Sequence, residues 1–145
     1  MPYTNSRHGV YVTNGTGGTI KHGIPAIVNG VVGIAIKQKP RSWSEGLVVA
    51  DQIDDGETFF LQAHGEVQVG TATGEAANGL SLSVGTKVYL AAASTTDGVT
   101  TYALSTSASS TTYFGRVTET PTSPSINATA RVPANKVRID LDLKA

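Results

Sequence analysis

The longest apolar stretch of the chain is IPAIVNGVVGIAIK, residues 24–37, which carries no charged side chain before its last residue. Its proline and glycines form helices poorly and most of its other residues are β-branched, so the stretch favours strands. Asn29-Gly30 supplies the two residues that a type I′ turn prefers, because both central positions of that turn have positive φ. The pattern therefore predicts a β-hairpin with arms at residues 24–28 and 31–36.

Neither arm of this hairpin alternates regularly between apolar and polar residues. Strands of that kind are usually covered on both faces. The hairpin therefore either packs entirely inside its own domain or lays one face against a neighbouring subunit. In the second case we expect Ile27, Val31 and Ile34 to lie at a subunit interface. The run is too short for a membrane-spanning helix, which takes about 20 apolar residues.

The rest of the chain consists of short strand patterns separated by turn residues. Alternation is strictest in KVRIDLDLK, residues 136–144, where one side of the strand is apolar and the other is charged. A second hairpin is predicted in DGETFFLQAHGEVQV, with strands at 57–63 and 66–69 that meet at His64-Gly65. Further strands are predicted at residues 9–13, 47–50, 86–92, 99–104 and 113–118.

The spacing of turn signals, roughly every 8–12 residues, is typical of an all-β sandwich or barrel. We expect a compact domain of about nine or ten short, mostly antiparallel strands. Residues 1–20 are predicted to form a flexible N-terminal arm with one short strand, and residues 21–145 a single β-domain. The motif NGTGGT, residues 14–19, lacks the spacing of a phosphate-binding loop and is interpreted as a turn.

Charge and cysteine content narrow the function classes. The chain has 11 basic and 11 acidic residues, so it lacks the excess positive charge typical of proteins that bind nucleic acid directly. It contains no cysteine, which excludes a disulfide framework and a thiolate metal site. The N-terminal sequence lacks the apolar core of a signal peptide. We therefore expect no secretion through a cleaved signal and no partner among nucleic acids or membranes.

No residue pattern points to catalysis. His8, His22 and His64 lie far apart, each near a glycine in a predicted turn, and lack the short spacings of common zinc sites. No serine lies in a GxSxG motif. The acidic residues Asp54 and Asp55 are interpreted as a solvated approach to a strand. We expect a protein that is not an enzyme and has no catalytic residue, no metal and no cofactor.

Two regions are candidates for contact with a partner. The loop KQKPRSWSEG, residues 37–46, carries Arg41 and Trp43, residue types that are enriched at interface hot spots. The alternative is that Trp43 folds back on the apolar hairpin while the charged side chains of the loop stay solvated. The second region is the arm, whose candidate contact residues are Pro2, Tyr3, Thr4, Asn5, Ser6 and Arg7.

Five segments follow one another in an order that carries a family resemblance. They are the apolar hairpin, DGETFFLQAHGEVQV, the strand GTKVY, the strand GRVTE and the closing strand VRIDLDL. Over residues 20–143, this order resembles a family of small tailed-bacteriophage capsid decoration (head-stabilisation) proteins, long filed as a domain of unknown function. The shared motifs are structural and not catalytic, and it is their order and spacing together that carry the resemblance.

The resemblance implies a non-catalytic structural virion protein that binds the outer surface of an expanded phage capsid and stabilises it. The implied partner is the major capsid protein, on which the chain would assemble as a homotrimer. It would be made in the host cytoplasm and located on the capsid exterior. Two alternatives stay open: a low-copy head-fibre base or tail-tube component, and a glycan-binding β-sandwich displayed on the virion.

Overall fold

The structure is a computed structural model and describes residues 8–37, 52–71, 80–109, 111–121 and 132–143. Within these ranges it contains thirteen strands and no helix, which confirms the all-β prediction. No helix long and apolar enough to cross a membrane occurs among these residues. The strands are β1 (Gly9–Thr13), β2 (Ile20–Lys21), β3 (Pro25–Val28), β4 (Val31–Ile36), β5 (Gln52–Ile53), β6 (Thr58–Gln62), β7 (Glu66–Gly70), β8 (Lys87–Leu90), β9 (Ser94–Thr96), β10 (Val99–Thr101), β11 (Leu104–Ser105), β12 (Thr112–Glu119) and β13 (Lys136–Asp140).

Two sheets form the body of the protein. A four-stranded sheet has the order β1-β6-β4-β3, and a five-stranded sheet has the order β11-β8-β12-β13-β7. The pairs β9–β10 and β2–β5 form two small ribbons. Every described strand pairing is antiparallel, and one isolated parallel bridge joins Thr19 to Val99.

The buried apolar residues of both sheets belong to one continuous core. Phe59 and Leu61 enter it from the four-stranded sheet, and Leu90, Val117 and Ile139 enter it from the five-stranded sheet. Full burial of one such side chain contributes about 1.5–3 kcal/mol to stability. The shared core, with β4 lying near β12 and β3 near β8, is that of a compact sandwich.

The predicted apolar hairpin is confirmed as the pair β3–β4. Its turn residues have positive φ, 52° at Asn29 and 78° at Gly30, as a type I′ turn requires. The register places Val28 opposite Val31, directly before and after the turn. The local Asn-Gly signal thus fixes both the turn and the pairing of its flanking strands.

The second predicted hairpin is wrong, because β6 and β7 lie in different sheets. Strand β6 pairs with β1 and β4, whereas β7 pairs with β13. The backbone N–H groups of Ala63 and His64 both donate to the carbonyl of His8, which ties the end of β6 to β1. Leu141 donates to the carbonyl of Gly65, which ties the start of β7 to the chain after β13. Backbone pairing on either side of the turn therefore sends the two strands to separate sheets.

Two further strand predictions need correction. The predicted strand 99–104 is divided between β10, which pairs with β9 across the Asp97-Gly98 turn, and β11 in the five-stranded sheet. The predicted closing strand ends at Asp140, because the N–H of Asp142 donates to the Asp140 side chain and turns the chain. The predicted strand 47–50 lies outside the described residues.

Residues 8–20, assigned above to the N-terminal arm, are integrated into the fold. Val12 and Ile20 are buried in the core, and Asn14 is fully buried within the NGTGGT turn. The Asn14 side-chain amide donates to the carbonyls of Gly18 and Ile53, at 2.9 and 3.0 Å. Its carbonyl oxygen accepts from the backbone and hydroxyl of Thr16. The turn is thus held by an asparagine whose side-chain nitrogen and oxygen are both hydrogen-bonded, as a buried polar group requires.

Candidate interaction surface

The four-stranded sheet has one buried face and one outer face. Side chains alternate between the two faces along each strand. Val12, Phe59, Leu61, Ala26 and Ala35 share the face that is buried in the core. The residues between them point to the opposite side, which is called the outer face below.

Three apolar residues form a row across the outer face. The register sets Tyr11 opposite Phe60 and Phe60 opposite Ile36, on β1, β6 and β4; this set is called the outer row. Tyr11 is 62% exposed, the largest value for a big hydrophobic side chain in the described ranges. Its ring meets that of Phe60 edge to face, with centroids 5.3 Å apart and planes at 63°. The pairing fixes the orientation of an exposed aromatic ring.

The hairpin β3–β4 places its larger side chains on this outer face. The centre of its buried face carries only small residues: Ala26, Gly33 and Ala35. Its outer face carries large aliphatic residues: Ile27, Val32, Ile34 and Ile36. Small residues let β4 approach the second sheet closely. Of the larger residues on the outer face, Ile34 is buried and the other three are half-buried.

Strand alternation separates the three residues predicted at a subunit interface. Ile27 and Ile34 both lie on the outer face, where Ile27 is half-buried and Ile34 is 5% exposed. Val31 pairs with Val28 and lies on the opposite face. Of the three, only Ile27 is therefore both on the outer face and partly accessible to a partner.

The other predicted contact residues lie outside the described ranges and stay predictions. The first described range begins at His8, one residue before β1, and ends at Lys37, one residue after Ile36. The two predicted contact regions are thus adjacent in the chain to the two strands at the ends of the outer row. The residues concerned are Pro2, Tyr3, Thr4, Asn5, Ser6, Arg7, Arg41 and Trp43.

Tyr11 and Phe60 are not among the contact residues predicted from the sequence. A signal was present in TFFLQ, because alternation forces the two phenylalanines of that strand onto opposite faces. Phe59 is 1% exposed, whereas Phe60 is half-buried on the other side. That Tyr11 lies beside Phe60 follows from the pairing of β1 with β6, which no local pattern specifies.

Polar groups border the outer row at its Ile36 end. The Lys37 ammonium donates to the carbonyl of Thr58 at 2.7 Å and lies 3.9 Å from the Glu57 carboxylate. The Lys37 backbone N–H donates to Nδ1 of His22 at 3.0 Å. These bonds hold the end of β4, and the opposite charges of Lys37 and Glu57 leave this border without a strong field of either sign.

The outer side of the five-stranded sheet is polar by comparison. Tyr89 and Tyr113 form an edge-to-face pair with centroids 5.6 Å apart. The Tyr113 hydroxyl donates to the carbonyl of Leu143, and Arg116 donates to the carbonyl of Gly85. Desolvation raises the pKa of Tyr113, and the nearby Arg116 guanidinium partly opposes that rise. The polar groups of this face are engaged in holding the fold.

Within the described ranges, no group of three or more His, Cys, Asp or Glu side chains is placed to hold a metal. His64 has one close acidic partner, the Asp142 carboxylate, with Nδ1 and Oδ1 2.9 Å apart. The same carboxylate accepts from the N–H of Gly65 at 3.0 Å. Both side chains are more than half exposed, and their contact fastens the β6–β7 turn to the chain after β13.

Comparison of the chain with protein-family models, with curated proteins and with solved structures finds no match. The family resemblance described above therefore rests on the sequence segments alone. What the structure adds is the geometry of a candidate contact surface, in which an exposed tyrosine lies at the end of an apolar row on one sheet.

Proposed function

We propose that this chain is a structural virion protein that decorates the outer surface of an expanded bacteriophage capsid and stabilises it without catalysis. The observation that carries the proposal is the outer row, in which Tyr11, 62% exposed, lies in register with Phe60 and Ile36. An apolar row that ends in an exposed tyrosine fits contact with a protein surface better than contact with water; the other two residues, Phe60 and Ile36, are half-buried. The capsid as partner follows from the resemblance of residues 20–143 to decoration proteins.

The stabilising mechanism is mass action. A protein that binds only the expanded shell favours that shell by RT ln(1 + [L]/Kd) per site, about 2.7 kcal/mol when the free protein is at 100 times its Kd. A rigid binding surface lowers the entropy cost of binding, because fewer side chains have to be ordered. The ring of Tyr11 is already oriented by Phe60, and the antiparallel pairing of β1 with β6 holds its backbone.

The assembly proposed is a homotrimer on the major capsid protein, located on the capsid exterior. The two predicted contact regions, residues 2–7 and the loop at 37–46, adjoin the outer row in the chain and would extend the contact on either side of it. Of the residues predicted at the subunit interface, Ile27 shares the outer face with this row and is half-buried, whereas Ile34 is buried.

Co-sedimentation with expanded capsids that lack this protein tests the proposal, with copies bound per major capsid subunit as the readout. We expect saturable binding in near-stoichiometric amounts. Tyr11→Ser should weaken binding about 30-fold, the effect of losing a hot spot of about 2 kcal/mol. The matched control is Tyr89→Ser, which removes a tyrosine from the polar face and should leave binding unchanged.

The absence of pelleting at micromolar protein would overturn decoration. Equal binding by the two variants would overturn the assignment of the contact to the outer row. Thermal melting of both variants must show a folded protein at the temperature of the assay. Saturable binding at only a few copies per particle would instead support the head-fibre or tail-tube alternative.

A glycan-binding module is the second candidate. The observation that favours it is the Tyr89–Tyr113 pair beside Arg116, since aromatic rings next to polar groups on a sheet can hold a sugar. Binding to a glycan panel that is lost in Tyr89→Ser and retained in Tyr11→Ser would establish this alternative. The hydrogen bond of the Tyr113 hydroxyl to Leu143 counts against it, because that group is already engaged.

A further inference from the structure

Strand β1 forms one edge of the four-stranded sheet. No strand among the described residues pairs with its free side. The N–H of Ala63 donates to the carbonyl of His8 at 2.7 Å, and the N–H of Asn14 donates to the carbonyl of Glu57 at 2.8 Å. In an antiparallel pair, hydrogen-bonded positions occur at every second residue. The even-numbered residues of β1 therefore bond to β6.

The odd-numbered residues consequently direct their backbone groups outward. Tyr11 and Thr13, both exposed, present N–H and C=O groups on the free side of β1. Val10, on the other face of the strand, is 38% exposed although its register places it on the buried side of the sheet. An additional strand would pair with these backbone groups and bring its own side chains beside Val10 on one face and Tyr11 on the other.

The other edges of the two large sheets carry features that discourage pairing. Strand β3 begins with Pro25, β7 carries Glu66, and β11 is only two residues long. Strand β1, with the sequence GVYVT, has no charge and no proline over five residues. Natural proteins normally protect such an edge with one of these features. An unprotected edge with exposed apolar side chains is therefore best explained by a strand that pairs with it.

We infer that this strand is β1 of a second copy, which pairs antiparallel about a two-fold axis at Tyr11; this contact joins two copies and is separate from the three-fold contacts of the proposed homotrimer. The sequence Val10-Tyr11-Val12 reads the same in both directions, so it is complementary to itself in that arrangement. Val10 then faces Val12 of the second copy, Tyr11 faces Tyr11, and Gly9 faces Thr13. Aromatic and β-branched cross-strand pairs of this kind stabilise sheets, and no like charges meet.

The pairing continues the outer row through the axis. The row Ile36, Phe60, Tyr11 of one copy would join the same row of the other, while the outer side of each Tyr11 ring stays free. A five-residue edge buries less than the roughly 1,200 Å² of a standard stable interface, so the contact is weak in dilute solution. We expect a dissociation constant on the order of 100 μM, which repeated display on one surface would strengthen through effective concentration.

Cysteine cross-linking tests the register. The chain has no cysteine, so any disulfide between two copies must form at the single cysteine that is introduced. In Tyr11→Cys the two thiols belong to directly opposed residues, with Cα atoms about 5.5 Å apart and within the range of a disulfide. The matched variant Thr13→Cys places its two thiols four residues apart along the paired strands, roughly 14 Å, which excludes a disulfide. Mild oxidation at high protein concentration should give a covalent dimer of the first variant only.

Sedimentation equilibrium of the purified chain gives the second readout. Tyr11→Lys brings two ammonium groups together at the axis and should weaken dimerisation at least about tenfold. Thr101→Lys, which adds the same charge on an exposed residue of β10, should leave dimerisation unchanged. A wild-type chain that stays monomeric at about 1 mM, equal cross-linking of the two cysteine variants, or dimerisation unaffected by Tyr11→Lys would overturn the inference. No capsid is present, so the result is independent of the proposed function.

Discussion

The two sheets each carry one aromatic pair on their outer sides. On the four-stranded sheet the ring centroids of Tyr11 and Phe60 lie 5.3 Å apart with planes at 63°. On the five-stranded sheet those of Tyr89 and Tyr113 lie 5.6 Å apart with planes at 72°. The ring geometry is nearly the same, so it cannot by itself separate a contact surface from a structural one.

The surroundings of the two pairs differ. On the five-stranded sheet, Tyr113 donates to Leu143 and Thr118 donates to Glu66, so polar groups beside the pair are used within the fold. On the four-stranded sheet, the pair continues into Ile36 and ends at an unprotected edge strand. An aromatic pair therefore indicates a binding surface when its neighbours are apolar and one of its strands has a free edge, and not otherwise.

The largest expected effect concerns the charges of the five-stranded sheet. Glu119 is fully buried, with Oε1 3.3 Å from Nη1 of Arg138 and Oε2 accepting from the N–H of Val132. Arg138→Met leaves that carboxylate without its cation and should lower the free energy of unfolding by about 3–5 kcal/mol, as measured by urea denaturation. If this sheet depends on specific charges, no other single change discussed here should cost as much.

Arg116→Met is the matched control, because it removes the same charge from the same sheet face. The Arg116 guanidinium donates to the carbonyl of Gly85 at an exposed position, and its removal should cost less than about 1 kcal/mol. The double variant Glu119→Leu with Arg138→Met should recover part of the loss, because no buried charge is then left unpaired. Equal stability of Arg138→Met and Arg116→Met would contradict the dependence on this pair.

The stability of the four-stranded sheet should depend on close backbone contact between neighbouring strands and not on a charge pair. A Cβ added at Gly33 would lie 2.2 Å from the carbonyl oxygen of Gln62, a backbone atom that cannot move aside cheaply. Gly33→Ala should therefore lower the free energy of unfolding by about 2–3 kcal/mol, measured by denaturant titration. Gly15→Ala is the control, because an added Cβ there meets nothing within 4 Å. A Gly33→Ala variant as stable as the control would show that β4 can shift away from β6.

Much of the fold was accessible from sequence, but the pairing of distant strands was not. Asn29-Gly30 fixed the first hairpin because the turn conformation is a local property of those two residues. The same reasoning failed at His64-Gly65, where the flanking strands find better partners in β1 and β13. Turn residues report that the chain reverses direction, and only long-range packing decides which strands then meet.

The candidate surface was less predictable than the fold. Apolar side chains in the hairpin were recognised, yet their division between two faces separates Val31 from Ile27 and Ile34. The outer row also needs β1, β6 and β4 side by side, which brings Tyr11 next to a residue far along the chain, Phe60. The division of the hairpin residues between two faces could have been predicted from alternation in the sequence. The position of Tyr11 next to Phe60 could not, because it depends on the order of strands in the sheet.

The smallest expected effect is a loss of stability at high pH, to which a tyrosine of the core and a tyrosine of the polar face both contribute. Burial raises the pKa of Tyr102 above the ordinary value of 10.0, and desolvation does the same for Tyr113. Between the unfolded and folded pKa values, the folded state keeps a proton that the unfolded state has released. Stability should therefore be complete below pH 10 and fall as the pH rises through that window, by at most about 1.4 kcal/mol per pH unit for each tyrosine. Melting temperatures of Tyr102→Phe and Tyr113→Phe between pH 8 and 11 should each fall less steeply than those of the wild type. If Tyr113→Phe alone removed the pH dependence, the polar face and not the core would limit stability in alkali.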